Sequence, residues 1–92
     1  MQGPVYAAPA NDHFGQKPVL TTADTEIRKR SVVIAGHRTS VSLENIFWET
    51  LRKMAEAEEL SVNQIVTRID AERAGNLSSA IRTYVLKRLL EA

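Results

Sequence analysis

Residues 38–68 read RTSVSLENIFWETLRKMAEAEELSVNQIVTR, and within this stretch the hydrophobic period changes once. Over Arg38 to Leu43 the period is two, which sets Thr39, Val41 and Leu43 on one face of an extended chain and Arg38, Ser40 and Ser42 on the other. From Glu44 onward it is helical, with Phe47, Leu51, Met54 and Ala55 on one stripe and Trp48 beside it. The spacing predicts a strand over 38–43 and a helix over 44–58. Ser61 then reads as an N-cap, and Val62, Ile65, Val66 and Ile69 fall on one narrow face, so a second helix is expected over 62–73.

Beyond that stretch, Gly75 is expected to end the second helix in a left-handed C-cap, and Asn76 to cap a third over 77–91. This last helix carries Leu77, Ile81, Tyr84, Val85 and Leu89 in one broad sector, with Leu86 and Leu90 opposite. Such a coat suits a helix buried on more than one side. Upstream, Val32, Val33 and Ile34 are β-branched and Gly36 marks a bend, and whether they lengthen the strand is open. Residues 1–27 hold all three prolines and no sustained period, the composition of a flexible tail, which leaves 28–92 as the folded domain. No internal repeat stands out.

A chain of 92 residues without cysteine has neither disulfides nor thiolate metal sites to brace a small core, so oligomerisation is the remaining means of support. The net charge of +1 hides an uneven distribution. Residues 28–43 carry Arg28, Lys29, Arg30 and Arg38 and no acidic residue, whereas Glu44, Glu49, Glu56, Glu58 and Glu59 follow closely. No apolar run reaches the length of a membrane span and no secretory leader opens the chain, so the expected compartment is the cytoplasm.

A single strand cannot satisfy its own backbone donors and acceptors, and no second strand of convincing length is evident. The expected architecture is therefore mainly α with one β-strand per chain, an intertwined homodimer whose two strands pair antiparallel across a two-fold axis. Thr39, Val41 and Leu43 of both chains would close over the helices, and Arg38, Ser40 and Ser42 would project outward from both. A two-stranded ribbon fits the major groove of B-DNA, where Arg bonds bidentately to guanine and Ser hydroxyls reach several base edges.

The stretch from Arg38 to Arg68, together with the run AGHRTSVSLE at Ala35 to Glu44, resembles ribbon-helix-helix DNA-binding proteins of the Arc and Met repressor type, and most closely a bacterial subgroup. The resemblance implies a ribbon-helix-helix dimer with an additional C-terminal helix. It implies base reading by Arg38, Ser40 and Ser42, and a phosphate held by backbone N–H groups where Ser61, Val62 and Asn63 open the second helix. Glu58 and Glu59 depart from the pattern, since many members have Gly in the turn before that clamp. Arg28, Lys29 and Arg30 would form an arm tracking the phosphate backbone.

The expected function is that of a sequence-specific transcriptional regulator, a repressor, with double-stranded DNA as partner and without catalysis, cofactor or metal. Two alternatives stay open. One is an antitoxin-type module binding operator DNA while the N-terminal tail or the C-terminal helix engages a toxin; the other is a protein-interaction adaptor without DNA binding. His37 is read as a locally bonded strand residue, and Phe47 and Trp48 as core.

Overall fold

The computed structural model describes residues 20–91. A single helical turn, α1 (Thr22–Thr25), leads into two strands, β1 (Ile27–Ile34) and β2 (His37–Glu44), and three helices follow: α2 (Asn45–Ala57), α3 (Val62–Glu72) and α4 (Leu77–Glu91). The expected flexible tail thus overlaps described structure at α1 and at the start of β1, while its first 19 residues lie outside the described residues.

The expectation of one strand per chain is overturned. β1 and β2 pair antiparallel within the chain, in a register running from Ile27 opposite Glu44 to Ile34 opposite His37. Ala35 and Gly36 make the connection, with φ of 52° and 81°. Positive φ at both central positions is the type I′ geometry, whose twist matches that of the strands it joins. Gly36 therefore marks a hairpin turn rather than a bend ahead of a lone strand. The chain's own β1 supplies partners along one edge of β2, and Val32, Val33 and Ile34 are part of that paired strand.

Cross-strand partners share a face, so the register sorts the hairpin into two rows. The inner row holds Val32, Val41 and Leu43, all buried; the helices add Leu51 and Ala55 from α2, Ile65, Val66 and Ile69 from α3, and Ile81 and Val85 from α4. Phe47, Trp48, Met54 and Tyr84 pack against this cluster, as the helical stripe implies. The architecture is one hairpin layered on three helices, with α3 against β1 and both α2 and α4 against β2.

Each helix ends for a local reason. At the close of α2, Leu60 N–H donates to Ala55 O at 2.8 Å and Glu59 N–H to Glu56 O at 3.0 Å, with Glu59 at φ 59°. This is the Schellman motif, built on a non-glycine residue in the left-handed region. α3 opens with a capping box: Gln64 N–H donates to Ser61 Oγ at 3.0 Å, and Ser61 N–H donates to Gln64 Oε1 at 2.7 Å. Asn76 caps α4 by accepting from Ser79 N–H at 2.8 Å. The expected left-handed glycine cap at Gly75 is absent, because α3 stops at Glu72 with Arg73 already extended at ψ 150°.

Ion pairs tie the layers together. Glu44 at the end of β2 accepts from Arg82 of α4 at 3.0 Å, and that guanidinium holds its carboxyl below the usual range. Glu58 receives both Arg68 of α3, at 3.2 Å, and Arg88 of α4, whose guanidinium also lies 5.7 Å from the Tyr84 ring. Hydrogen bonding from Arg88, then from Arg68, lowers the Glu58 carboxyl too, against the opposing effect of burial.

Candidate nucleic-acid interface

The outer row of the hairpin is the surface that the helices leave uncovered. Its cross-strand pairs are Val33 with Arg38, Ser31 with Ser40 and Lys29 with Ser42. All are exposed except Ser42, which is half-buried. Arg38 and Lys29 make no ion pair among the described residues, and Glu44, the acidic group at the far end of the row, is occupied by Arg82. The row is therefore basic and hydroxyl-rich, without a facing carboxylate to neutralise it.

Of the sequence-predicted readers, the hairpin brings Arg38, Ser40 and Ser42 together on this one face, at alternate positions of β2. Thr39, expected on the inner face with Val41 and Leu43, shares their row but is itself exposed. Ser31 and Val33 belong to the same surface and were not singled out from sequence. The signal that marks them is the alternation of Lys29, Ser31 and Val33 against Arg30, Val32 and Ile34, which the basic cluster at residues 28–30 obscures.

That cluster is not an arm but the first half of β1, and strand alternation divides it. Lys29 faces outward. Arg28 sits at the hairpin's end beside Glu26, 3.4 Å away, with both side chains exposed. Arg30 is turned inward, its guanidinium 5.2 Å from the Trp48 ring centroid and its Nη2 donating to Asn45 Oδ1. Asn45 in turn donates through Nδ2 to Ala23 O at 2.7 Å, which fixes α1 against the start of α2. Arg30 is thus engaged within the fold, through Trp48 and Asn45.

The start of α3 flanks the hairpin. Asn63 Oδ1 accepts from Val33 N–H at 3.0 Å, which sets the helix N-terminus against the outer edge of β1. Because the capping box occupies the N–H groups of Ser61 and Gln64, those of Val62 and Asn63 are the first-turn donors without a partner among the described residues. The Ser61 and Asn63 side chains are committed inside the molecule, so any anion here would meet backbone N–H groups and the positive end of the helix. Of the acidic residues before this turn, Glu58 is neutralised by its two arginines, whereas Glu59 stands exposed without an ion pair among the described residues.

A two-stranded ribbon followed by paired helices, with a basic outer face and a helix N-terminus at its edge, defines a class. The chain belongs to the ribbon-helix-helix family: the model described as ribbon-helix-helix domain matches residues 27–89, from the first residue of β1 almost to the end of α4. The family is in general one of DNA-binding, dimerising regulators that are typically not enzymes. Among solved structures, the chain is similar to an uncharacterized protein from Bordetella pertussis Tohama I, with a TM-score of 0.66 and 26% identity. The match covers 77% of this chain and 62% of that one, so the chain spans less than two thirds of that protein. No curated protein sequence matches the chain significantly. Among the described residues, no helix is long and apolar enough to cross a membrane and no group of three or more His, Asp or Glu is placed to hold a metal ion.

Proposed function

We propose that this protein is a sequence-specific regulator of transcription, a repressor, that reads the major groove of double-stranded DNA with the outer face of its hairpin. The observation that carries this reading is the outward row of exposed Arg38 and Ser40 and half-buried Ser42, free of ion pairs among the described residues and flanked by the N-terminus of α3. Arg38 is the base reader of greatest weight, since its fork can bond a guanine bidentately, and the two serines adjust to neighbouring base edges. Val62 and Asn63 N–H groups hold a flanking phosphate and thereby fix the depth and register of the ribbon. Arg28, at the open end of the hairpin, adds charge along the backbone.

The acting species is a homodimer, as in the family generally. Each subunit carries its own hairpin, and Leu86, Leu89 and Leu90 at the end of α4 are exposed apolar side chains. These leucines also favour a second reading, an antitoxin-type module in which α4 engages a protein partner while the hairpin keeps its DNA.

The test is binding of the full chain to duplex DNA, followed by fluorescence anisotropy over a range of salt. Selected sites should bind more tightly than random duplex, and affinity should fall steeply as salt rises. Arg38→Ala should lose about 1 to 3 kcal/mol of specific binding while random duplex is bound nearly as before. An Arg38→Ala protein that discriminates as well as the parent would overturn the assignment.

A further inference from the structure

The side of α2 turned away from the core carries a stripe of its own. Ile46, Glu49, Thr50 and Lys53 fall at i, i+3, i+4 and i+7 and form one wall of a cleft of about 490 Å³. The other walls are α1, through Ala23 and Asp24, and the inward side of β1, through Arg28 and Arg30. They are fixed to one another: Asn45 N–H donates to Glu26 O at 2.9 Å, Asn45 Nδ2 donates to Ala23 O at 2.7 Å, and Arg30 Nη2 donates to Asn45 Oδ1. The cleft is thus formed before anything enters it, and its volume lies within the range of about 300 to 1,000 Å³ usual for small-molecule sites. It lies on the helical side of the hairpin, because Arg28 and Arg30 share the row of buried Val32 while Lys29 between them points to the outer row.

The charges around the cleft are unevenly satisfied. Asp24 accepts from Thr21 N–H at 3.1 Å and Glu49 is paired with Arg52 at 2.7 Å, so both lining carboxylates are engaged. Arg28 stands 3.4 Å from Glu26. Arg30 and Lys53, by contrast, have no carboxylate partner among the described residues. Arg30 is half-buried and held by neutral groups alone, the Trp48 ring and the Asn45 amide. Its Nη1 makes no hydrogen bond among the described residues, and its Nε is buried without one. A cation taken partly out of water without a counter-charge is a costly arrangement that an entering anion relieves.

We infer that the cleft binds a small aliphatic dicarboxylate, one carboxylate at Arg30 and the other at Lys53, with the carbon chain lying on Ile46. Asn45, which anchors Arg30, and Lys53 are separated by about 12 Å along the axis of α2. Helix side chains lean toward the N-terminus, so the ammonium comes nearer to Arg30 than its backbone does. The gap suits two acid groups joined by about four methylenes, each bonded to its own cation, whereas a single acid group reaches only one end. Ile46 is 43% exposed, and the methylenes of such a ligand cover it. Binding here requires nothing of the DNA reading proposed above, since the outer row faces the other way.

Titration of the isotope-labelled full chain with adipate, hexanoate and inorganic phosphate at constant ionic strength, followed by amide NMR shifts, tests the inference. Adipate should give saturable shifts centred on α2 from Asn45 to Lys53 and on the first half of β1, with a Kd at or below about 1 mM. Hexanoate lacks the second acid group and phosphate lacks the chain, so each should bind at least about fivefold more weakly. Lys53→Ala, at an exposed position outside the core, should weaken adipate about fivefold, and Lys53→Arg should keep it. Glu49→Gln should tighten adipate by removing a like charge from the wall. Equal binding of hexanoate, indifference to Lys53→Ala, or the absence of a saturable shift overturns the inference. So does duplex DNA that moves the same α2 amides while adipate does not, which would make the stripe a contact for the nucleic-acid backbone.

Discussion

In the helical layer every buried side chain faces another element: Leu51 and Ala55 of α2, Ile65, Val66 and Ile69 of α3, and Ile81 and Val85 of α4 converge on one cluster. The hairpin commits Val32, Val41 and Leu43 to the same cluster and gives most of its second row to solvent, with Ser42 and Glu44 half-buried. On the proposed function, stability and recognition are separated by the pleat, residue by alternating residue, at the boundary between the two layers. A substitution at Leu43 and one at Ser42 should act on different properties although they are neighbours in sequence.

The largest expected effect that sharpens this contrast is on the inner row. Leu43→Ala removes a fully buried side chain that joins hairpin to helices, and urea unfolding should show a loss of about 2 to 5 kcal/mol. Ser40→Ala, on the exposed row, should stay within about 0.5 kcal/mol of the parent in the same titration while weakening selective DNA binding. A comparable stability loss at both positions would erase the division between the rows.

Smaller effects are expected where backbone conformation and side chain conflict. Glu59 occupies the left-handed region at the end of α2, and Glu59→Gly should raise stability by about 1 kcal/mol by removing that strain. The same change takes a negative charge from beside the N-terminus of α3, so DNA affinity at low salt should also rise. An unchanged thermal midpoint would show that the turn bears no strain at this site.

The brace at Glu58 distinguishes the layers by pH. Its carboxyl is lowered in the fold, mainly by the hydrogen bond from Arg88, so its contribution is present at neutral pH and is lost as pH falls through and below its ordinary value of 4.5. Glu58→Gln should lower the thermal midpoint at pH 7 and flatten its decline in acid. The hairpin's outer row holds no carboxylate except Glu44 among the described residues, so salt-dependent DNA binding should be less sensitive to this variant than stability is.

The helices were legible because their periods are long and sharply bounded. Ser61 and Asn76 cap where their side chains imply, and helices expected at 44–58, 62–73 and 77–91 lie at Asn45–Ala57, Val62–Glu72 and Leu77–Glu91. β2 was legible from the alternation of Arg38 to Leu43. β1 was not, because Arg28, Lys29 and Arg30 in succession read as a solvated charge run, and only a long cationic side chain stacked on Trp48 lets Arg30 occupy an inward position. With β1 unseen, the arithmetic of unpaired backbone pointed to a second chain. Gly75 misled in a simpler way: α3 had already ended at Glu72, where Arg73 N–H bonds Asp70 O at 3.4 Å and the Arg73 side chain bonds Asp70 at 2.7 Å. On the candidate face, Arg38, Ser40 and Ser42 were visible as the polar half of an alternation, whereas Ser31 joins them only through the register that sets it against Ser40.

The tight link at Ala35 and Gly36 also bears on how the molecule is made. Joining strands through two residues keeps every rung of the ribbon local in the chain, and isolated hairpins of this kind zip up within about 1 to 10 μs. The surface that meets the outside world can therefore take shape as a first-order event on a nascent polypeptide, at a rate indifferent to how many copies the cell holds.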